Sequence, residues 1–230
     1  MKDKTVAIVL SGGKGKRMGT SVSKQYLLLE DKPILYYSLK AFDNSNIDEI
    51  IIVAGKDDIE FVTTQIVNKY NIKKVTKFVA GGKERYNSVY NGLCSIDDAN
   101  YVLIHDGARP FIETELINKC IDTVKKEKAC IVGMPVKDTI KIVDKDTYVK
   151  NTPSRSTVWQ IQTPQCFEYS LIKSAYESII ASGREDITDD SMVMEAYECC
   201  KIKVLEGSYT NIKITTPEDI LVGKTILKKN

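Results

Sequence analysis

Runs of apolar, largely β-branched residues recur along the chain, separated by segments in which apolar positions return every three or four residues. Thr5 to Leu10 (TVAIVL), Glu49 to Ala54 (EIIIVA), Lys74 to Val79, Tyr101 to His105 (YVLIH) and Ala129 to Met134 are predicted strands. A strand with one face in water alternates, so runs that stay apolar mark strands covered on both faces. Between them, Ile59, Val62, Ile66 and Tyr70 repeat with the helical period, as do Leu116, Cys120 and Val124. These predict helices laid against the sheet. The alternation predicts an α/β fold, a mostly parallel sheet with helices on both faces.

Helix starts are marked as well. Pro33 suits a first helical position before Ile34, and Thr216-Pro217-Glu218-Asp219 offers an N-cap, a first-turn proline and first-turn acids. Asp138 to Trp159 breaks the alternation: Thr139 to Val143, a turn at Asp144-Lys145-Asp146 and Tyr148-Val149 predict a β-hairpin. It either projects as an arm that meets a partner or adds an antiparallel edge to the main sheet. No repeat, low-complexity tract or long linker divides the 230 residues, which are expected to form a single domain.

Composition narrows the chemistry. Lys and Arg number 33 against 31 Asp and Glu, a net charge of +2 that provides no global field for nucleic acid or an anionic membrane. No apolar run approaches the roughly 20 residues of a membrane span, and the short run after the charged opening is no signal-peptide core. Six cysteines lack Cys-x-x-Cys spacing and are expected to be reduced. A cytoplasmic protein is expected. The single histidine, His105, leaves little room for triads, His-ligated zinc or imidazole acid/base schemes. On its apolar strand it reads as a packed residue, and Trp159 and the tyrosines read as core and interface.

Ser11 to Gly19 (SGGKGKRMG) follows the first strand, where an open α/β sheet places its ligand crevice. The loop is neither a Walker A motif nor a dinucleotide fingerprint, since Met18 stands at the third glycine. Lys14, Lys16 and Arg17, with Lys24 beyond, suit a triphosphate whose pyrophosphate leaves. An NAD-dependent oxidoreductase is disfavoured on the same grounds. Asp106 ends a predicted strand in Asp106-Gly107-Ala108-Arg109-Pro110, where a carboxylate can share a magnesium ion with phosphates, although strand-end aspartates commonly serve as caps or turn formers.

Further segments follow in order: GGKER from Gly81, YNSVYNGL from Tyr86, PVKDTIK from Pro135, Arg155 with Trp159, QTPQ from Gln162, TDD from Thr188 and NIKITTPED from Asn211. Over nearly the whole chain this ordered set resembles the 2-C-methyl-D-erythritol 4-phosphate cytidylyltransferases of the non-mevalonate isoprenoid pathway. The resemblance implies a Rossmann-like nucleotidyltransferase that joins CTP to methylerythritol phosphate, releases pyrophosphate and uses Mg²⁺. It implies that Ser11, Gly12, Gly13 and Gly15 lie along CTP, and that Gly82, Arg85 and Ser88 frame the cytosine. Arg17 and Lys24 would hold the phosphates and the transition state, and Asp106 the magnesium. Arg109, Thr139, Arg155, Thr163, Thr188 and Lys213 would surround the polyol phosphate or the reacting phosphates. Arg17, Lys24 and Lys213 are thus the expected catalytic cations. The arm, about 138–159, would interlock a homodimer and carry Thr139 and Arg155 to the partner's site.

The chain departs from the family's common pattern at Ser11-Gly12, where paired alanines are usual, at Gly107, where alanine is usual, and at Val158, where leucine is usual. None removes a charge. Pentitol-phosphate cytidylyltransferases share the glycine loop and a QTPQ-like segment but typically lack the Arg-x-x-x-Trp pattern of Arg155 and Trp159, and ribitol 5-phosphate is the alternative acceptor. A non-catalytic nucleotide-binding regulator is the remaining alternative.

Overall fold

A computed structural model describes residues 3–13, 23–197 and 200–228. The chain begins with β1 (Thr5–Ser11), buried at every position but Leu10. A short hairpin of β2 (Leu28–Leu29) and β3 (Lys32–Pro33) leads into α1 (Ile34–Asn44). Then come β4 (Glu49–Ala54), a helical stretch opening with α2 (Ile59–Phe61), β5 (Val75–Ala80) and α3 (Arg85–Cys94). After β6 (Tyr101–Asp106), α4 (Thr114–Glu127) and β7 (Ala129–Pro135) stands the hairpin of β8 (Ile142–Val143) and β9 (Val149–Asn151). The chain closes with β10 (Trp159–Glu168), α5 (Tyr169–Ser182), α6 (Asp190–Tyr197), β11 (Lys203–Glu206) and α7 (Pro217–Leu227).

Seven strands form one sheet in the order β11-β7-β10-β6-β1-β4-β5. β1 pairs in parallel with β4 on one side and β6 on the other, so the chain winds outward through β5 and returns across β1. That reversal opens a crevice at the carboxyl ends of β1 and β6. Strand alternation divides the core. Ala7, Val9, Ile50, Ile52 and Leu103 pack on one face with α1 and α4. Val6, Ile8, Ile51, Val53 and Val102 pack on the other with α3, α5 and α6. Each such fully buried aliphatic side chain contributes about 1.5–3 kcal/mol, which fixes the strand ends that carry the site. A smaller cluster of Leu29, Ile34, Phe111 and Ile214 seats α7.

The predicted strands are all present within a residue of their expected ends, and Thr216 caps α7 with a reciprocal capping box to Asp219. Four details differ. Pro33 stands one position ahead of α1, as the N-cap, because it pairs with Leu28 in the hairpin. The periodic segment after Ile59 becomes a π-helix over Val62–Asn68. There the hydroxyls of Thr63 and Thr64 bond back to the carbonyls of Ile59 and Glu60, within a β-branched stretch that crowds a regular α-helix. The arm pairs over fewer residues than expected and stays apart from the main sheet. Finally, Trp159 belongs to β10 and not to the arm. β10 runs antiparallel between β6 and β7, with a register shift between Ile161 and Gln165. Glutamines and Pro164 interrupt its apolar pattern, which conceals a central strand.

Candidate active site

The crevice is a cleft of about 670 Å³ whose lining includes Ser11, Gly12, Gly13, Lys24, Gly82, Arg85, Ser88, Asp106 and Lys213. Its walls follow from the topology. Leu10 and Asp106 are register partners at the ends of β1 and β6, so the glycine loop leaves the sheet beside the carboxylate. Gly81 and Gly82 carry the chain from β5 into α3. A Cβ on Gly82 would stand 2.4 Å from the Cβ of Asn87, so the turn onto α3 requires glycine. At Gly12 an added Cβ would meet only ordinary contacts, 3.5 Å from the carbonyl carbon of Ala54, and alanine fits there. At Gly107 it would approach the backbone oxygen of Leu10 to 2.8 Å, so this chain is closed more tightly at that point.

Two side chains just beyond the loop fix its entry. The Gln25 amide donates to the carbonyls of Ser11 and Gly13, and the Tyr26 hydroxyl donates to the Ser11 carbonyl at 3.0 Å. Burial pushes the Tyr26 phenol up to about 12, so it remains a donor. Lys213 is placed from the far end of the chain. Its segment is anchored by the Ile214 amide on the Ala108 carbonyl at 2.8 Å, and by the Asn211 side-chain amide on the carbonyl of Thr163 at 3.0 Å.

Asp106 is the electrostatic centre. Lys213 Nζ lies 2.7 Å from Oδ2, Arg85 Nε 3.2 Å from Oδ1, and Arg109 Nε 4.0 Å from Oδ2. Burial by itself would raise the carboxyl's pKa, but Arg85 and Lys213 outweigh it and hold the group well below the usual carboxylate range. Arg85 also reaches Asp190 with both terminal nitrogens, at 2.9 and 2.7 Å. Asp190 is fully buried and accepts a further bond from the Tyr176 hydroxyl at 2.6 Å. Burial would lower the Arg85 pKa, yet Asp190 and Asp106 raise it, and the guanidinium is permanently charged. Arg109 donates to the Asn211 carbonyl at 2.8 Å, and its Nε is buried without a hydrogen-bond partner. Among the lining residues Lys24, Lys83, Arg85 and Lys213 outnumber Glu84 and Asp106, so the cleft offers net positive charge to an anion.

Beneath Asp106, Thr163 Oγ1 accepts the Asp106 amide at 3.1 Å and lies 3.0 Å from His105 Nδ1. The other ring nitrogen faces the Arg109 carbonyl at 3.4 Å. A carbonyl only accepts, so the proton sits on Nε2, and Nδ1 accepts the threonine hydroxyl. Burial drives the His105 pKa down to about 3, and the ring is neutral. Thr163 thus lies under the site and not on its wall, where it holds the backbone of Asp106.

The other expected residues divide. Gly15 and Arg17, with Lys14 and Lys16, lie outside the described residues. Thr139 and Arg155 are exposed near the arm, Arg155 donating to the Lys137 carbonyl at 3.2 Å, and Thr188 is exposed beside Met192. None of the three lines the cleft. Sequence reasoning missed Asp190, Tyr176 and Gln25. The TDD segment contained the signal for the first, since a carboxylate at the start of an apolar helix must face either water or a cation. Among the described residues no cluster of three or more acidic, histidine or cysteine side chains forms a metal cage, and Cys94, Cys120, Cys130 and Cys166 are free thiols.

Comparison with known proteins adds the following. The family model for 2-C-methyl-D-erythritol 4-phosphate cytidylyltransferase matches residues 5–229. A relative of that name from Lachnoclostridium phytofermentans is 52% identical over 228 residues, covering 99% of this chain and 98% of the relative. Another from Lachnospira eligens is 51% identical over 224 residues, covering 96% and 98%. The crystal structure of 4-diphosphocytidyl-2C-methyl-D-erythritol synthase from Anaerococcus prevotii superposes with a TM-score of 0.87 at 38% identity, covering 98% of this chain and 96% of the other.

Proposed function

The chain belongs to the 2-C-methyl-D-erythritol 4-phosphate cytidylyltransferase family, and we infer from this that it transfers the cytidylyl group of CTP to 2-C-methyl-D-erythritol 4-phosphate in isoprenoid precursor synthesis. The products are 4-diphosphocytidyl-2-C-methyl-D-erythritol and pyrophosphate. The observation that carries the mechanism is the convergence of Lys24, Arg85 and Lys213 on the cleft around Asp106.

A phosphate monoester has a second pKa near 6, so the acceptor is mostly dianionic at neutral pH and needs no general base. A neutral, buried His105 is therefore no obstacle. The difficulty is repulsion between two polyanions, together with the charge that builds on the bridging oxygen as pyrophosphate leaves. Lys24 and Lys213 are suited to neutralise that charge and to align attacker and leaving group, and Arg17 is assigned with them through the family resemblance. Ser11, Gly12, Gly13 and Gly15 are assigned to the length of CTP, and Gly82, Arg85 and Ser88 to the cytosine. The Gly82 amide donates to Ser88 Oγ at 3.0 Å, which supports their acting as one wall.

Magnesium fits this donor set. It takes one or two carboxylates and completes its shell with water and substrate phosphates, and Asp106 is an ionised carboxylate in the lining of the cleft, which suits such a shell. Asp106 would hold the ion, which when bound neutralises and orients phosphate oxygens. Arg109, Thr163 and Thr188 are assigned to the acceptor side, Thr163 through its hold on Asp106. Thr139 and Arg155 are assigned to the site of a second subunit in a homodimer. The arm leaves Ile142, Val143 and Val149 about half exposed, which supports a partner there. Among the described residues no helix is long and apolar enough to cross a membrane, and the free thiols suit a cytoplasmic enzyme acting as a single domain.

Pyrophosphate release tests the assignment. CTP with methylerythritol phosphate should turn over with Mg²⁺, and substituting ribitol 5-phosphate should abolish most of the signal. Turnover with ribitol 5-phosphate alone, or none with either acceptor, would overturn it.

A further inference from the structure

Arg85, the first residue of α3, stands between two carboxylates of different kinds. Its terminal nitrogens meet the two oxygens of Asp190 at 2.9 and 2.7 Å, while only Nε touches Asp106, at 3.2 Å. Asp190 lies deep in the core and opens α6. Its Oδ1 is also fixed by the hydroxyl of Tyr176, itself fully buried on α5, at 2.6 Å. Its carboxylate is engaged by the far end of the guanidinium and by the Tyr176 hydroxyl.

A guanidinium prefers to face a carboxylate with two parallel N–H donors, and a buried one takes the strongest acceptor in reach. If Asp190 were absent, that acceptor would be Asp106, already in contact. The fork would turn onto it and crowd the two oxygens that Arg85 Nε and Lys213 now share. We propose that Asp190, locked by Tyr176, is a positioning residue that holds Arg85 side-on to Asp106, so that the Asp106 carboxylate stays available to a divalent cation and the substrate phosphates. This rests on the reading of Asp106 as the cation-holding carboxylate. It assigns Asp190 and Tyr176 an indirect role in cation affinity although both are closed off from the cleft.

The test measures Mn²⁺ binding to the nucleotide-free protein by electron paramagnetic resonance, with KM for CTP, kcat and the urea midpoint recorded alongside. Asp106→Asn comes first and should weaken Mn²⁺ binding; if it does not, the reading of Asp106 fails and the inference falls with it. Given that loss, Asp190→Asn should raise the Mn²⁺ dissociation constant about 10- to 100-fold, the range seen when a group supporting a metal ligand is removed. Tyr176→Phe, which keeps the ring and deletes one bond, should move it in the same direction by a smaller factor, and it carries the test alone if Asp190→Asn does not fold. In an Arg85→Met background, Asp190→Asn should add no further loss, because the group it restrains is gone. A lowered urea midpoint with unchanged Mn²⁺ affinity and KM in both single variants would reduce Asp190 to a structural ion pair and overturn the proposal. A full additional loss in the Arg85→Met background would overturn it too.

Discussion

Replacing His105 by glutamine should flatten the protein's pH–stability curve between pH 7 and pH 5. The folded-state pKa of this fully buried imidazole is lowered to about 3 from an ordinary 6.5, with burial the largest cause. The unfolded chain therefore binds a proton in this interval and the native state does not. A group whose charged form is disfavoured by folding makes the protein less stable as pH falls through the unfolded pKa. From pH 7 to pH 5 an unfolded histidine goes from about one quarter to almost fully protonated, while the buried one stays neutral, and the difference is about 2 kcal/mol. Asp106 works at the other end: its depressed pKa stabilises the fold above the ordinary carboxylate range, and that contribution is lost only as pH falls below it, outside this window. The assay is urea unfolding in metal-free buffer at half-unit steps of pH, wild type against His105→Gln. The stability of the variant relative to wild type should rise by about 2 kcal/mol as the pH falls over those two units. Since the chain has one histidine, its ring proton resonances can also be followed without assignment, and they should stay unshifted through the interval. Parallel curves for the two proteins, or a resonance that titrates near pH 6.5, would refute the buried neutral ring and with it the proton placement on the Thr163 bridge.

Lys24→Ala and Lys213→Ala should each lower kcat on the order of a hundredfold, about 3–4 kcal/mol of transition-state stabilisation, with both variants folded by circular dichroism and the lower urea midpoint in Lys213→Ala, which strips Asp106 of a partner; near-normal turnover in both would remove the electrostatic mechanism. Val143→Glu, which places a charge on the half-exposed face of the arm, should convert a dimer to a monomer by light scattering and lower turnover with it. An unchanged dimer would count against the arm as the interface.

What could be read in the sequence was local. β1, β4, β6 and β7 announced themselves because residues that are apolar on both faces have few other places to go, and Thr216 to Asp219 contained its own capping box. The glycine loop and Asp106 were legible for the same reason, since strand ends in an open α/β sheet converge on the crevice. β10 was not, because Gln162 and Gln165 face a polar network and not solvent: Gln162 donates to the Ser208 carbonyl at 2.8 Å, and Gln165 bonds Asp189 and the Ser191 amide at 2.9 and 2.8 Å. A polar residue in a strand normally signals water, and here it signals other buried polar groups. Nor does any sequence pattern mark the bridge that Thr163 makes, its hydroxyl held between a neutral ring and the Asp106 backbone.

The same limit explains why the charges at this site had to be seen folded. Each cation in the sequence looks free to bind phosphate, yet Arg85 and Lys213 already face Asp106 at hydrogen-bond distance. A buried ion pair that lost one member would leave the other uncompensated, at a cost of several kcal/mol, so the cleft keeps its cations in place by giving them a carboxylate to hold. An incoming triphosphate must then compete with Asp106 for Lys213, and a divalent ion that takes over the carboxylate frees the lysine for the phosphates. Affinity for cation and nucleotide should accordingly be cooperative: CTP should tighten Mn²⁺ binding to wild type and lose most of that effect in Lys213→Ala. Lys213 thus links two binding events because one ammonium group cannot serve both anions at once.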